Sequence, residues 1–135
     1  MYSHYRIISL VDYNIRGVNM DLKVISPEQL QQRMQEEKQV LILDVRAADK
    51  YENEHIEGSS IESINIPKNI IFDSVNEKTS VDSLAGLPKN QEIIVTCTTG
   101  NSAKKCAAIL KEKNFDVTVL EGGVAGWRNL SSKFE

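Results

Sequence analysis

Cysteine and histidine are scarce in this chain, two of each among 135 residues. Two cysteines cannot build a disulfide framework. They stand nine positions apart, Cys97 at the end of an apolar run and Cys106 inside the next helical stretch. A direct bridge requires Cα atoms within about 7 Å, a condition this layout is not expected to meet. Reduced thiols and a cytoplasmic address are therefore expected. The histidines and cysteines have no metal-ligand spacing, so neither a metal nor another cofactor is expected. No stretch approaches the ~20 apolar residues that cross a bilayer. Ile7-Ile8-Ser9-Leu10-Val11 is too short for a secretory leader and lacks a small-residue cleavage site. Positive charge is also lacking. A formal net charge of −3 argues against nucleic-acid binding driven by overall charge and leaves only a local basic patch open. Gly122, Gly123 and Gly126 do not have dinucleotide-loop spacing and follow the last strand. Internal repeats and low-complexity tracts are absent. The expected partners are thus neither membranes nor nucleic acids.

What remains is ordinary globular material, 41% apolar and 26% charged, long enough for one domain with a real core. Residues 1–19 have scattered aromatics and no sustained period, and read as a poorly ordered extension preceding a domain over 20–135. Ser26-Pro27-Glu28-Gln29 is a helix start: Ser26 caps, Pro27 suits the first turn, and Gln29 completes a capping box. This helix should run to about Glu37 and bury Leu30 and Met34. Val40–Leu43 is uniformly apolar, a strand covered on both faces. Asp44-Val45-Arg46 ends it, and a short polar helix spans Ala47 to Asn53.

A turn at His55–Ser59 leads into a strand, Ser63–Ile66, which Pro67 stops. Residues 68–90 read as irregular, with one short helix near Val81–Ala85. A strand over Glu92–Thr96 precedes Cys97. The helix after it packs through Ala103, Ala107 and Leu110 and ends at Asn114, a residue that tolerates the left-handed conformation. Val117–Leu120 is a further strand, and Gly122-Gly123 turns into a last helix carrying Trp127 as a packing anchor. Apolar strands alternating with amphipathic helices give an α/β fold with a mainly parallel sheet. Sites in such sheets form beyond the carboxyl ends of the strands.

Cys97 lies at such an end. The strand Ile93–Thr96 delivers its thiol to the loop Thr98-Thr99-Gly100-Asn101-Ser102, which opens directly into a helix. Amides of the loop and of the helix's first turn can converge on one sulfur and stabilise it as a thiolate. The bland alternative, a buried inert cysteine filling space, fits this context poorly. Gly100 supplies positive φ or close approach to the sulfur. Ser102 either caps the helix or donates its hydroxyl, with capping favoured. Thr98 and Thr99 either shape the mouth of the site or face solvent.

With these pieces in place, the sequence resembles the single-domain rhodanese (thiosulfate sulfurtransferase-like) family over roughly Asp21 to Leu130. Leu43-Asp44-Val45-Arg46, His55-Ile56-Glu57-Gly58, the loop Cys97–Ser102 and Leu120-Glu121-Gly122-Gly123 with Trp127 resemble its signatures in order. The resemblance implies a three-layer α/β fold, with a mainly parallel central sheet of about five strands flanked by helices on both faces. It also implies ping-pong sulfur transfer, with Cys97 taking the outer sulfur of a donor such as thiosulfate and passing it to cyanide or a thiol. The loop from Cys97 to Ser102 has six residues, the length that accompanies single-sulfur binding in this family; related dual-specificity phosphatases carry one more. Many members have a loop arginine; here the loop holds Thr98, Thr99 and Asn101.

Asp44, Arg46 and Lys104 are candidate contacts, either to the donor anion or structural; Lys104 and Lys105, the cations that follow the loop, either attract the donor or are solvated helix residues, with solvation favoured. His55 has no assigned catalytic role, and Cys106 reads as core. The expected substrates are a small sulfur-containing anion or thiol, with a protein sulfur acceptor also open. The competing readings are a persulfide-relay or interaction module, and, less favoured, cysteine-dependent phosphatase or arsenate chemistry.

Overall fold

In the computed structural model, which describes residues 6–9, 21–76 and 84–132, the strands Val40–Asp44, Ile93–Thr96 and Val117–Leu120 are short, mainly apolar runs. The elements are β1 (Arg6–Ser9), β2 (Asp21–Ile25), α1 (Pro27–Gln35), β3 (Val40–Asp44), α2 (Ala48–Asn53) and β4 (Ile61–Asn65). They continue with α3 (Lys68–Asp73), a 3-10 turn (Ser74–Asn76), β5 (Ile93–Thr96), α4 (Asn101–Glu112), β6 (Val117–Leu120) and α5 (Gly123–Ser132). The sheet order is β1-β2-β6-β5-β3-β4. β1 pairs with β2 antiparallel, and all other pairs are parallel. The expected mainly parallel sheet is present, with Arg6–Ser9 adding an antiparallel edge strand from within the 1–19 extension.

Every residue of β3, β5 and β6 is buried, as continuous apolar runs require when helices cover both faces. The pleat sorts their side chains by alternation. Leu41 and Leu43 join one core cluster with Ile93, Val95, Ile71 and the buried face of α4. Val40 and Ile42 join the other with Ile94, Leu30 and Val124, where Met34 and Trp127 also pack. Helices α3 and α4 thus cover one face of the sheet, and α1 and α5 the other.

At the start of α1 the Ser26 side chain accepts from the Gln29 amide, while the Gln29 side chain accepts from the Ser26 amide. This helix ends at Gln35, one turn-fraction earlier than expected, because Glu37 turns left-handed at φ 58°. Asn114, at φ 74°, follows the end of α4 in the left-handed conformation expected of it.

One segment departs from expectation. Residues 68–73, read as irregular, form α3, whose Ile71 is fully buried and whose Phe72 packs against the core. No side chain caps this helix, so its start carries no local signal; tertiary burial holds it in place. Of the short helix expected near 81–85, residues 81–83 lie outside the described residues, and Leu84 is buried.

Candidate functional site

The carboxyl ends of β5, β3 and β4, neighbours in the sheet, deliver Cys97, Arg46 and Lys68 to one cavity. Cys97 is 5% exposed. Its Sγ accepts two main-chain hydrogen bonds, from the Gly100 amide at 3.0 Å and the Ala103 amide at 3.3 Å. Gly100 is the N-cap of α4, at φ 110° and ψ −17°, and no side chain caps the helix. Ala103 is the third helical residue, whose amide a capping serine or aspartate normally takes. The sulfur occupies that acceptor position.

The expectation that Ser102 caps the helix is therefore corrected. Ser102 is the second residue of α4, and its Oγ stands 3.4 Å from Lys68 Nζ.

The loop is clamped from behind. Val124 N donates to the Cys97 carbonyl at 2.8 Å, and Ala125 N donates to the Thr98 carbonyl at 3.0 Å. Across a trans peptide the N–H opposes the C=O, so the Thr98 and Thr99 amides point away from α5. Close approach of α5 depends on Gly123, at φ +62°: a Cβ there would lie 2.5 Å from the Cys97 carbonyl oxygen and 2.7 Å from that of Thr98. Gly123 thus does more than turn the chain; it lets α5 dock on the loop.

The cavity has a volume of about 380 Å³. Thr98, Thr99, Asn101 and Ser102 line one side with Cys97, and Val45, Arg46 and Ala47 line another. Lys50 of α2 and Lys68 of α3 complete the rim. Among the described residues no acidic side chain lines it. Lys104 lies outside the lining, and Lys105 is an exposed residue of α4.

Arg46 is committed elsewhere. Its guanidinium contacts both carboxylate oxygens of Asp44, with Nη2 at 2.8 Å, and also donates to the Glu54 carbonyl at 2.7 Å. Asp44 Oδ1 also accepts from the Arg46 amide, and Asn65 ties down the Asp44 and Arg46 carbonyls. This buried pair braces the wall between β3 and α2.

Behind the site Cys106 is fully buried, and both cysteines are free thiols. Burial first, and then the neighbouring Cys97, push the Cys106 thiol up to about 12, with Lys68 pulling weakly the other way. Cys106 is a neutral core thiol at physiological pH. His55 stacks on Tyr51 with ring centroids 4.0 Å apart and does not line the cavity.

Lys50 and Lys68 were not among the sequence candidates. A signal for Lys68 existed: it follows Pro67, which stops a strand, and so belongs to the same sheet end as Cys97. Among the described residues no group of three or more histidine, cysteine or acidic side chains is placed to hold a metal, and no helix is long and apolar enough to cross a membrane.

The family model described as rhodanese-like domain matches residues 26–130, and the chain belongs to that family. It is 30% identical over 131 residues to the probable adenylyltransferase/sulfurtransferase MoeZ of Mycobacterium tuberculosis, covering 90% of this chain and 31% of MoeZ. The chain thus spans about a third of that relative. It is 30% identical over 107 residues to the thiosulfate sulfurtransferase GlpE of Pseudomonas paraeruginosa, covering 78% of this chain and 84% of GlpE. A rhodanese-like domain protein from Staphylococcus aureus superposes with a TM-score of 0.63 at 25% identity, over 77% of this chain and 89% of that one.

Proposed function

We propose that this rhodanese-like chain moves a sulfane sulfur from an anionic donor such as thiosulfate to a thiophilic acceptor, through a persulfide on Cys97. The single observation that carries this reading is the pair of amides, Gly100 and Ala103, aimed at the Cys97 sulfur beside an open cavity. Donors fixed in the backbone favour negative charge on sulfur without reorganising.

In the first half-reaction the Cys97 thiolate attacks the outer sulfur of thiosulfate. The S–S bond of the donor breaks, and sulfite leaves with the bonding electrons. The product is a Cys97 persulfide anion, so charge is conserved. In the second half, cyanide or a thiolate attacks the outer sulfur of the persulfide, and the Cys97 thiolate departs. The loop meets negative sulfur at both stages, and the same amides serve each time.

Mass spectrometry of the intact protein after thiosulfate treatment should register a gain of ~32 Da on the wild type and none on Cys97→Ser. A wild type that gains nothing would remove the sulfurtransferase reading.

A second reading has support in the partial coverage of MoeZ, a longer protein: the acceptor is a dedicated protein, and the chain is one station in a relay. Persulfide formation without turnover on thiosulfate and cyanide alone would select the relay; rapid turnover would select the free-standing enzyme.

A further inference from the structure

We infer that Lys68, seconded by Lys50, is the cation that selects anionic donors for Cys97, in place of a charge on the loop itself. This deepens the sulfur-transfer reading and rests on it for the identity of the donor.

The loop residues Thr98 to Ser102 carry no charge. A donor such as thiosulfate, with two negative charges, needs a cation close to the attacked sulfur, or its approach to a sulfur anion is repelled. Three basic residues line the cavity, and they are not equivalent. Arg46 is held by both oxygens of Asp44 and by the Glu54 carbonyl, and its charge is already balanced. Lys68 and Lys50 are exposed and mounted on α3 and α2, which face the loop across the cavity. Lys68 Nζ lies 3.4 Å from Ser102 Oγ, so the ammonium stands over the loop.

The contact is a flexible lysine at a solvent-facing rim, so it acts as a point charge and is screened by salt. It distinguishes donors by charge more than by shape. Lys104, although close in sequence to the loop, does not line the cavity and serves as the internal control.

The experiment uses two alkylating agents of near-equal size on the full chain, anionic iodoacetate and neutral iodoacetamide. In each case the Cys97 sulfur displaces iodide and forms a thioether; labelling of the Cys97 peptide is followed by mass. The readout is the ratio of the two rates in low salt, a quantity independent of sulfur transfer. Lys68→Met is expected to lower the iodoacetate-to-iodoacetamide ratio about fivefold, the scale of one exposed charge pair. Lys68→Arg restores it, Lys104→Met leaves it unchanged, and the Lys68→Met effect shrinks as salt is added. A ratio unaltered by Lys68→Met, or lowered equally by Lys68→Met and Lys68→Arg, overturns the inference. The outcome stands apart from the persulfide test. A wild type that acquires no sulfur defeats the proposed function alone, and an unchanged ratio in a protein that does acquire sulfur defeats the role of Lys68 alone.

Discussion

Replacing Gly123 by alanine tests how the loop around Cys97 is held. The methyl group would enter at 2.5 Å from the Cys97 carbonyl oxygen and 2.7 Å from that of Thr98, both backbone atoms that cannot swing aside. Residue 123 also sits at φ +62°, where an alanine costs about 1–2 kcal/mol relative to glycine. Relief of the clash requires α5 to back away, which sacrifices the hydrogen bonds from Val124 and Ala125 at 2.8 and 3.0 Å, each worth about 1 kcal/mol. The expected loss is therefore about 3–4 kcal/mol, a large share of the ~5–15 kcal/mol that holds a domain together. For a chain of this size that is a fall of roughly 10–15 °C in Tm. Urea unfolding of wild type and Gly123→Ala measures it, as a lower midpoint at unchanged slope. Gly86→Ala is the control, because nothing stands within 4 Å of its added methyl, and it should change stability by less than ~1 kcal/mol. The folded fraction of Gly123→Ala should also take up less sulfur from thiosulfate, since the start of the loop that leads to the Gly100 amide has lost its anchor. A Gly123→Ala protein within ~0.5 kcal/mol of wild type would refute the clamp.

Two further perturbations probe the surroundings. Cys106 has a folded value near 12 against an ordinary 9.0, so below pH 9 both folded and unfolded thiols are neutral and its contribution to stability is fully present. As pH rises from 9 toward 12 the unfolded thiol ionises first, and wild type should lose about 1 kcal/mol per pH unit relative to Cys106→Ala; parallel denaturation profiles for the two proteins would contradict this. Asp44→Ala leaves the Arg46 guanidinium buried without its carboxylate, and unfolding measurements should register a loss of ~3–5 kcal/mol. The double variant Asp44→Ala/Arg46→Met should lose less than the single one, and an equal or greater loss would discount the buried ion pair.

Much of this organisation was legible in the sequence wherever a local signal and the tertiary structure agree. Ser26, Pro27 and Gln29 announce a helix start by chemistry that operates within four residues, and the uniform apolarity of Val40–Leu43 declares a strand buried on both faces. Cys97 was legible for the same reason, since strand, loop and helix follow one another without interruption.

What escaped is non-local. Helix α3 has no cap and is stabilised by Ile71 and Phe72 meeting the core, so nothing in residues 68–73 alone distinguishes it from a loop. With α3 unrecognised, the signal that Pro67 gives for Lys68 went unread, and Lys104, adjacent to the loop in the chain, was named as a candidate cation. Ser102 was assigned to capping because serine usually performs that work. Only the folded loop reveals that Ser102 lies inside the helix and that the Cys97 sulfur, six residues before Ala103, accepts from the Ala103 amide. The second role of Gly123 is equally invisible without α5 lying against the Cys97 carbonyl.

β5 lies between β3 and β6 in the sheet, so the strand that carries Cys97 is braced from both sides, whereas α2 and α3 belong to the connections on either side of the edge strand β4. The Cys97 sulfur thus follows an interior strand of the sheet, while Lys50 and Lys68 ride on connections at its margin. Under the proposed role of these lysines, substitutions at positions 50 and 68 alter which donors are admitted without disturbing the seat of Cys97.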